Sequence, residues 1–109
     1  MDQSLGNTSW LFNSSCFVRL EITFTYQESS IMPGYQYIAF LTNLSSTTPF
    51  GSAWWKQDGN SFSMVISQTP GSIISEVSGT MDWSTKEGQG IIFDPMTKEQ
   101  SGTFSMIPT

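Results

Sequence analysis

The sequence carries few of the residues that most often perform chemistry. It has no histidine, one cysteine (Cys16), and nine Asp or Glu against four Lys or Arg, for a net charge of −5. Without histidine there is no Ser-His or Cys-His dyad, no imidazole base and no His-ligated zinc. A single cysteine forms neither an intrachain disulfide nor a CxxC redox pair. Arg19 is the sole arginine, and a surface this poor in cations cannot release the counterions that drive nucleic-acid binding. Carboxylates remain as general acids and bases, but Glu21, Glu76 and Asp82 each alternate with apolar neighbours, which places them on solvated strand faces rather than as a pair across a substrate. Asp58-Gly59-Asn60 is too short to supply the roughly six to eight oxygens of a calcium site and reads as a hairpin turn. Gly88-Gln89-Gly90 precedes no helix and so cannot cradle a phosphate. Gly79, Gly88, Gly90 and Gly102 are expected to mark bends or bulges in strands. No catalytic residues, no metal ligands and no cofactor follow from these patterns, and a non-enzymatic role is expected.

The aromatic residues are more informative. They make up 14% of the chain, a proportion that a disordered chain would lack. Trp54 and Trp55 are adjacent, so on a strand they point to opposite faces. The segment from Tyr35 to Thr42 is apolar on both faces. Two-faced burial of this kind points to a homo-oligomer, with Tyr35, Tyr37 and Trp54 at the interface.

These side chains need a scaffold, and the period of the sequence indicates one. Cys16, Val18, Leu20, Ile22, Phe24 and Tyr26 alternate with mostly polar residues, which predicts a long half-buried strand from Cys16 to Gln27, with Cys16 buried. Shorter alternating segments follow at Tyr35–Thr42, Gly51–Gln57, Ser61–Gln68, Ile73–Trp83, Gly88–Asp94 and Ser101–Ile107, and a brief opening strand lies near Ser9–Phe12. Turns fall at Pro33-Gly34, Gly59-Asn60, Pro70-Gly71 and Asp94-Pro95. No segment has the period of an amphipathic helix. Eight strands joined by short turns form an antiparallel meander, and closure removes its two edges. The expected fold is all-β: one domain over residues 1–109, an eight-stranded up-and-down β-barrel, with a β-sandwich as the alternative. Phe24, Tyr26, Phe62, Met64, Met81, Trp83, Phe104 and Met106 are expected to line a filled interior.

The phrases Trp54-Trp55-Lys56-Gln57-Asp58-Gly59-Asn60-Ser61-Phe62-Ser63-Met64, Val77-Ser78-Gly79-Thr80-Met81 and Ser101-Gly102-Thr103-Phe104-Ser105-Met106 give the chain a pattern that resembles the calycins, the barrel superfamily of lipocalins and avidins. The resemblance implies a binding barrel with a ligand inside or at its mouth. A fainter likeness, through Gly79-Thr80-Met81-Asp82-Trp83 and Glu87-Gly88-Gln89-Gly90-Ile91-Ile92-Phe93, is to Trp- and Gly-rich bacterial β-barrel lectins, and implies carbohydrate binding.

The functional expectation is therefore a non-enzymatic barrel holding a small apolar or aromatic ligand at its mouth. Tyr26, Trp55, Met81, Trp83 and Phe104 are the candidate ligand-binding residues. The alternative is a protein-interaction barrel, for instance protease-inhibitor-like, in which a long polar loop from Asn43 to Pro49 protrudes into a partner. The first residues show neither a charged nor an apolar leader region, and no apolar run is long enough to span a bilayer, so a cytoplasmic chain is expected, or a secreted chain in mature form.

Overall fold

In the computed structural model, which describes residues 4–16, 19–29, 34–69 and 72–109, eight antiparallel strands close into one barrel in sequence order. They are β1 (Thr8–Ser14), β2 (Leu20–Glu28), β3 (Tyr37–Asn43), β4 (Thr48–Asp58), β5 (Ser61–Thr69), β6 (Ser72–Asp82), β7 (Glu87–Phe93) and β8 (Gln100–Pro108). Closure is made by β1 against β8, with Phe12 opposite Met106 and Trp10 opposite Pro108. The meander read from the sequence is thus a barrel and not a sandwich. Among the described residues there is no helix, and none long and apolar enough to cross a membrane.

The long second strand begins later than its alternation suggests. Phe12 opposite Leu20 is the last β1–β2 pair, and the chain before Leu20 is needed for the connection. Cys16 lies in a bend there and is exposed rather than buried, while residues 17 and 18 lie outside the described residues. Alternation continues through Cys16 and Leu20, but period alone does not reveal where a strand loses its partner.

Inward alternation fills the interior. Phe12, Leu20, Ile22, Phe24, Leu41, Trp55, Phe62, Met64, Ile66, Ile92 and Met106 are all essentially inaccessible. Phe12 stacks on Phe104 at 4.9 Å between centroids, and Phe62 meets Phe104 edge-on at 6.0 Å. Glycine makes room for this layer. Gly79 pairs with Gly90 across β6 and β7 in an unbroken register, so these two glycines mark neither a bend nor a bulge. A Cβ at Gly79 would lie 2.7 Å from ring atoms of both Phe62 and Phe104. The pair is a recess for rings; alternation could not show it, because the rings come from β5 and β8.

Three of the connections share one design that strand period does not show. Asn43, Asp82 and Asp94 each end a strand or directly follow one, and each side-chain oxygen accepts the N–H two residues on: Ser45 at 2.9 Å, Ser84 at 3.0 Å and Met96 at 2.8 Å. The fifth residue of each turn, Thr47, Lys86 or Lys98, takes a positive φ of 55°, 57° or 63°. These are Asx turns closed by a left-handed residue. The segment Asn43–Pro49 is consequently not a long protruding loop: Thr48 and Pro49 already belong to β4, opposite Asn43 and Thr42.

The turn hydrogen bonds hold Asp94 below its ordinary value of 3.8, through the N–H groups of Thr97 and Met96, and hold Asp82 below it through the hydroxyl and N–H of Ser84. A carboxylate with a lowered folded pKa binds fewer protons folded than unfolded. Its stabilisation is complete above the unfolded value and is lost as pH falls through the folded one. The melting temperature of Asp94→Ala is therefore expected to lie below that of the native chain at neutral pH, and the two to converge as pH drops below the Asp range. Thermal melts of both proteins from neutral to strongly acidic pH measure this; a gap that stays constant refutes the turn carboxylate as its source.

Candidate functional site

The strands β1, β3, β5 and β7 begin at the same end of the barrel, where β2, β4, β6 and β8 finish. Gathered there are the N-terminal segment, the β2–β3 connection, the Gly59-Asn60 hairpin and the β6–β7 turn. They surround an open concavity of about 480 Å³ whose lining includes Tyr26, Tyr37, Trp55 and Trp83, with Gln36, Lys56, Asn60 and Ser4 around it. This volume falls within the roughly 300–1,000 Å³ of small-molecule sites.

The rings are fixed by packing. Tyr26 meets Tyr37 edge-on at 5.3 Å, Tyr37 lies 5.4 Å from Trp55, and Tyr26 lies 6.2 Å from Trp55. Below them Trp55 meets Phe24 at 5.3 Å, and its indole N–H donates to the Thr25 carbonyl at 3.1 Å. Trp55 is only 1% exposed and so forms the floor, whereas Tyr26 is 45% exposed. An aromatic ring so exposed yet held on several sides is a preorganised contact surface, since little freedom is left to lose on binding.

Part of that hold comes from residues 4–7, which no strand period singles out. The segment crosses the mouth and drives Leu5 into the barrel, where it is fully buried. Its N–H donates to Gln57 Oε1 at 2.9 Å, and the Asn7 N–H donates to the Phe24 carbonyl at 2.8 Å. Gln57 Nε2 in turn donates to the Gly59 carbonyl at 2.9 Å, tying the plug to the hairpin. The face of Tyr26 lies on Gly6, where a Cβ would come within 2.2 Å of the ring, and its hydroxyl donates to Ser4 Oγ. A left-handed Asn7 (φ 62°) turns the chain from plug into β1, a conformation Asn adopts more readily than most residues. Leu5-Gly6-Asn7 stands outside any alternating run, so only its tertiary contacts reveal its role.

Of the five ligand-binding candidates, Tyr26, Trp55 and Trp83 come together at the mouth. Met81 and Phe104 do not. Met81 is buried beside Gly88, at a separate depression on the β6–β8 wall, and Phe104 is deep in the ring layer against Phe12. Trp83 meets Trp10 edge-on at 6.3 Å, and its indole nitrogen is buried without a hydrogen-bond partner among the described residues.

The three interface candidates have separate environments. Tyr37 belongs to the mouth. Trp54 points outward, as its neighbour's inward direction requires, yet is only 4% exposed. Its indole N–H donates to Ser29 Oγ at 2.9 Å, and Tyr35 from the same connection sits with its ring 5.1 Å from Lys56 Nζ. Tyr35 also lies within the field of Glu76, and partial burial together with that carboxylate raises its pKa. Trp54, Val65 and Glu76 are successive cross-strand partners on β4, β5 and β6. Ser29 and Tyr35, described residues of the β2–β3 connection, therefore lie at this outer face. For Trp54, then, Ser29 of the same chain stands where two-faced apolarity predicts a second subunit.

Among the described residues no three His, Cys, Asp or Glu side chains are grouped to hold a metal ion. The fold and this site together define a closed eight-stranded barrel with an aromatic cup at one end. No family model, curated protein sequence or solved structure matches the chain.

Proposed function

We propose that the chain is a calycin-like, non-enzymatic binding barrel that holds a small ligand by a flat apolar or aromatic face in the cup at its mouth. The observation that carries this reading is Tyr26: a half-exposed ring, braced by Gly6, Ser4 and Tyr37, inside a concavity of about 480 Å³. A single exposed ring is ordinary, but Tyr26 shares its concavity with Tyr37, Trp55 and Trp83, and a contiguous apolar surface of this kind supports a binding role. The up-and-down topology agrees with the calycin pattern in the sequence, and the packed interior leaves the mouth, rather than the barrel's centre, as the place for a ligand.

Amide NMR spectra of the full chain, recorded against a panel of small planar and cyclic compounds, test this. At least one compound is expected to shift resonances of Tyr26, Gln36, Tyr37 and Asn60 in a saturable way. Shifts confined to the opposite end of the barrel, or none with any compound, would overturn the reading.

A further inference from the structure

We infer that the ligand of this cup is a neutral sugar, presenting the C–H face of one ring to Tyr26 and its hydroxyl edge to the rim. The inference rests on the mouth being the ligand site and goes further by specifying its chemistry.

The geometry of the rings comes first. Tyr26, Tyr37 and Trp55 are in mutual contact, with centroids 5.3 to 6.2 Å apart. No ring or alkylammonium group fits between rings so close, so the cluster is not a cage. Tyr26, steeply inclined to Tyr37 (82°) and to Trp55 (45°) and the most exposed of the three, is the platform. A ligand has to lie on it by one face.

The rim supplies the second constraint. Around the platform, the polar groups nearest the barrel are already engaged by the chain itself: Ser4 by Tyr26, Gln57 by Leu5 and Gly59. Those further out come from three separate places, Gln36 before β3, Tyr37 on β3 and Asn60 in the hairpin. Gln36 and Asn60 are exposed. Carboxamides and phenols each donate and accept, and so do sugar hydroxyls. A wholly apolar ligand would remove water from these groups and return no hydrogen bond.

Charge gives the third. Glu28 is the cross-strand partner of Tyr37, and Asp58 follows Gln57 at the end of β4. Among the described residues Lys56 is the one cation lining the cup, and its ammonium lies over Tyr35. With two carboxylates flanking the cup beside this cation, in a chain of net charge −5, the rim does not favour an anionic ligand. A neutral ring with one apolar face and one hydroxylated edge satisfies all three constraints.

The test is isothermal titration calorimetry with amide NMR on the full chain, using the methyl glycosides of glucose, galactose and mannose, the disaccharides maltose and cellobiose, sodium glucuronate, and indole. At least one neutral sugar is expected to bind with shifts at Tyr26, Gln36 and Asn60, and glucuronate at least about tenfold more weakly than methyl glucoside. Tyr26→Ala is expected to weaken sugar binding about tenfold or more. Because Tyr26 also braces the N-terminal segment, Gln36→Ala and Asn60→Ala serve as exposed variants, each expected to weaken it severalfold with an unchanged melting temperature. Indole binding in the cup with no sugar bound overturns the sugar inference and leaves the mouth-binding reading intact. Sugar binding that the three variants do not weaken, or that shifts other residues, overturns the inference as well. If neither sugars nor indole reach the cup, both readings fall.

Discussion

Gly90→Ala is expected to destabilise the barrel by about 3 kcal/mol or more, at or beyond the upper end of ordinary overpacking. The added Cβ would lie 2.1 Å from the Ser78 carbonyl oxygen, 2.6 Å from Gly79 Cα and 2.8 Å from a ring carbon of Phe104. Two of these neighbours are backbone atoms of the paired strand, fixed by the β6–β7 register, in which Gly90 pairs with Gly79 and Gln89 with Thr80. Relief would require parting β6 from β7 where Phe62 and Phe104 already meet. For a domain near this size the loss corresponds to a fall in melting temperature of roughly 12 °C or more. Gly102→Ala is the control, because its nearest neighbours are Ser15 Oγ and Cys16 Sγ, side-chain ends beside an exposed bend. Urea denaturation of the two variants decides the matter, and equal, small losses would mean that the glycine pair is not a packing device.

Leu5→Ala is expected to cost about 2–5 kcal/mol, the range for a buried leucine whose site does not collapse. A loss of that size is large for a residue outside every strand and so close to the start of the sequence. Leu5 is fully buried among core residues, and its backbone is held at both ends by Gln57 and Thr8. Truncation leaves those hydrogen bonds intact but empties the apolar anchor that makes them persist. Exchange protection of the Leu5 and Asn7 amides is therefore expected to fall further than protection within β4 and β5. Ligand affinity at the mouth should fall too, since Tyr26 loses the firm backing of Gly6 and Ser4. A variant that melts within a degree or two of the native chain, with unchanged protection, would show the segment to be a loose cover.

Much of the barrel was legible because its strands are half-buried. Leu20, Ile22 and Phe24 point inward, while Glu21, Thr23 and Thr25 point out, and that alternation survives in any arrangement that buries one sheet face. Three of five ligand candidates converge for a related reason: Tyr26, Trp55 and Trp83 lie within three residues of the ends of β2, β4 and β6, which finish at the same rim. Phe104 faces inward as well but lies deep in the ring layer, and facing says nothing of depth along the barrel axis. Met81, one residue from the end of β6, packs at Gly88 beside Met106 instead of opening into the cup. Trp54 reads as a partner surface because a strand pattern shows that both faces are apolar without showing what covers the second, here Ser29 of the same chain.

Composition and period suffice to show that this chain has no histidine chemistry and no intrachain disulfide, and that it forms an all-β meander with an aromatic interior. They could do so because both depend on residue type and on spacing along the strand. Tertiary structure alone decided that the meander closes through β1 and β8, that Gly79 and Gly90 form a recess for rings from other strands, and that Leu5 plugs the mouth beside an aromatic cup. Each of these is a contact between residues far apart in sequence, fixed by register and by which loop ends fall at the same rim. Those quantities leave no local period to read.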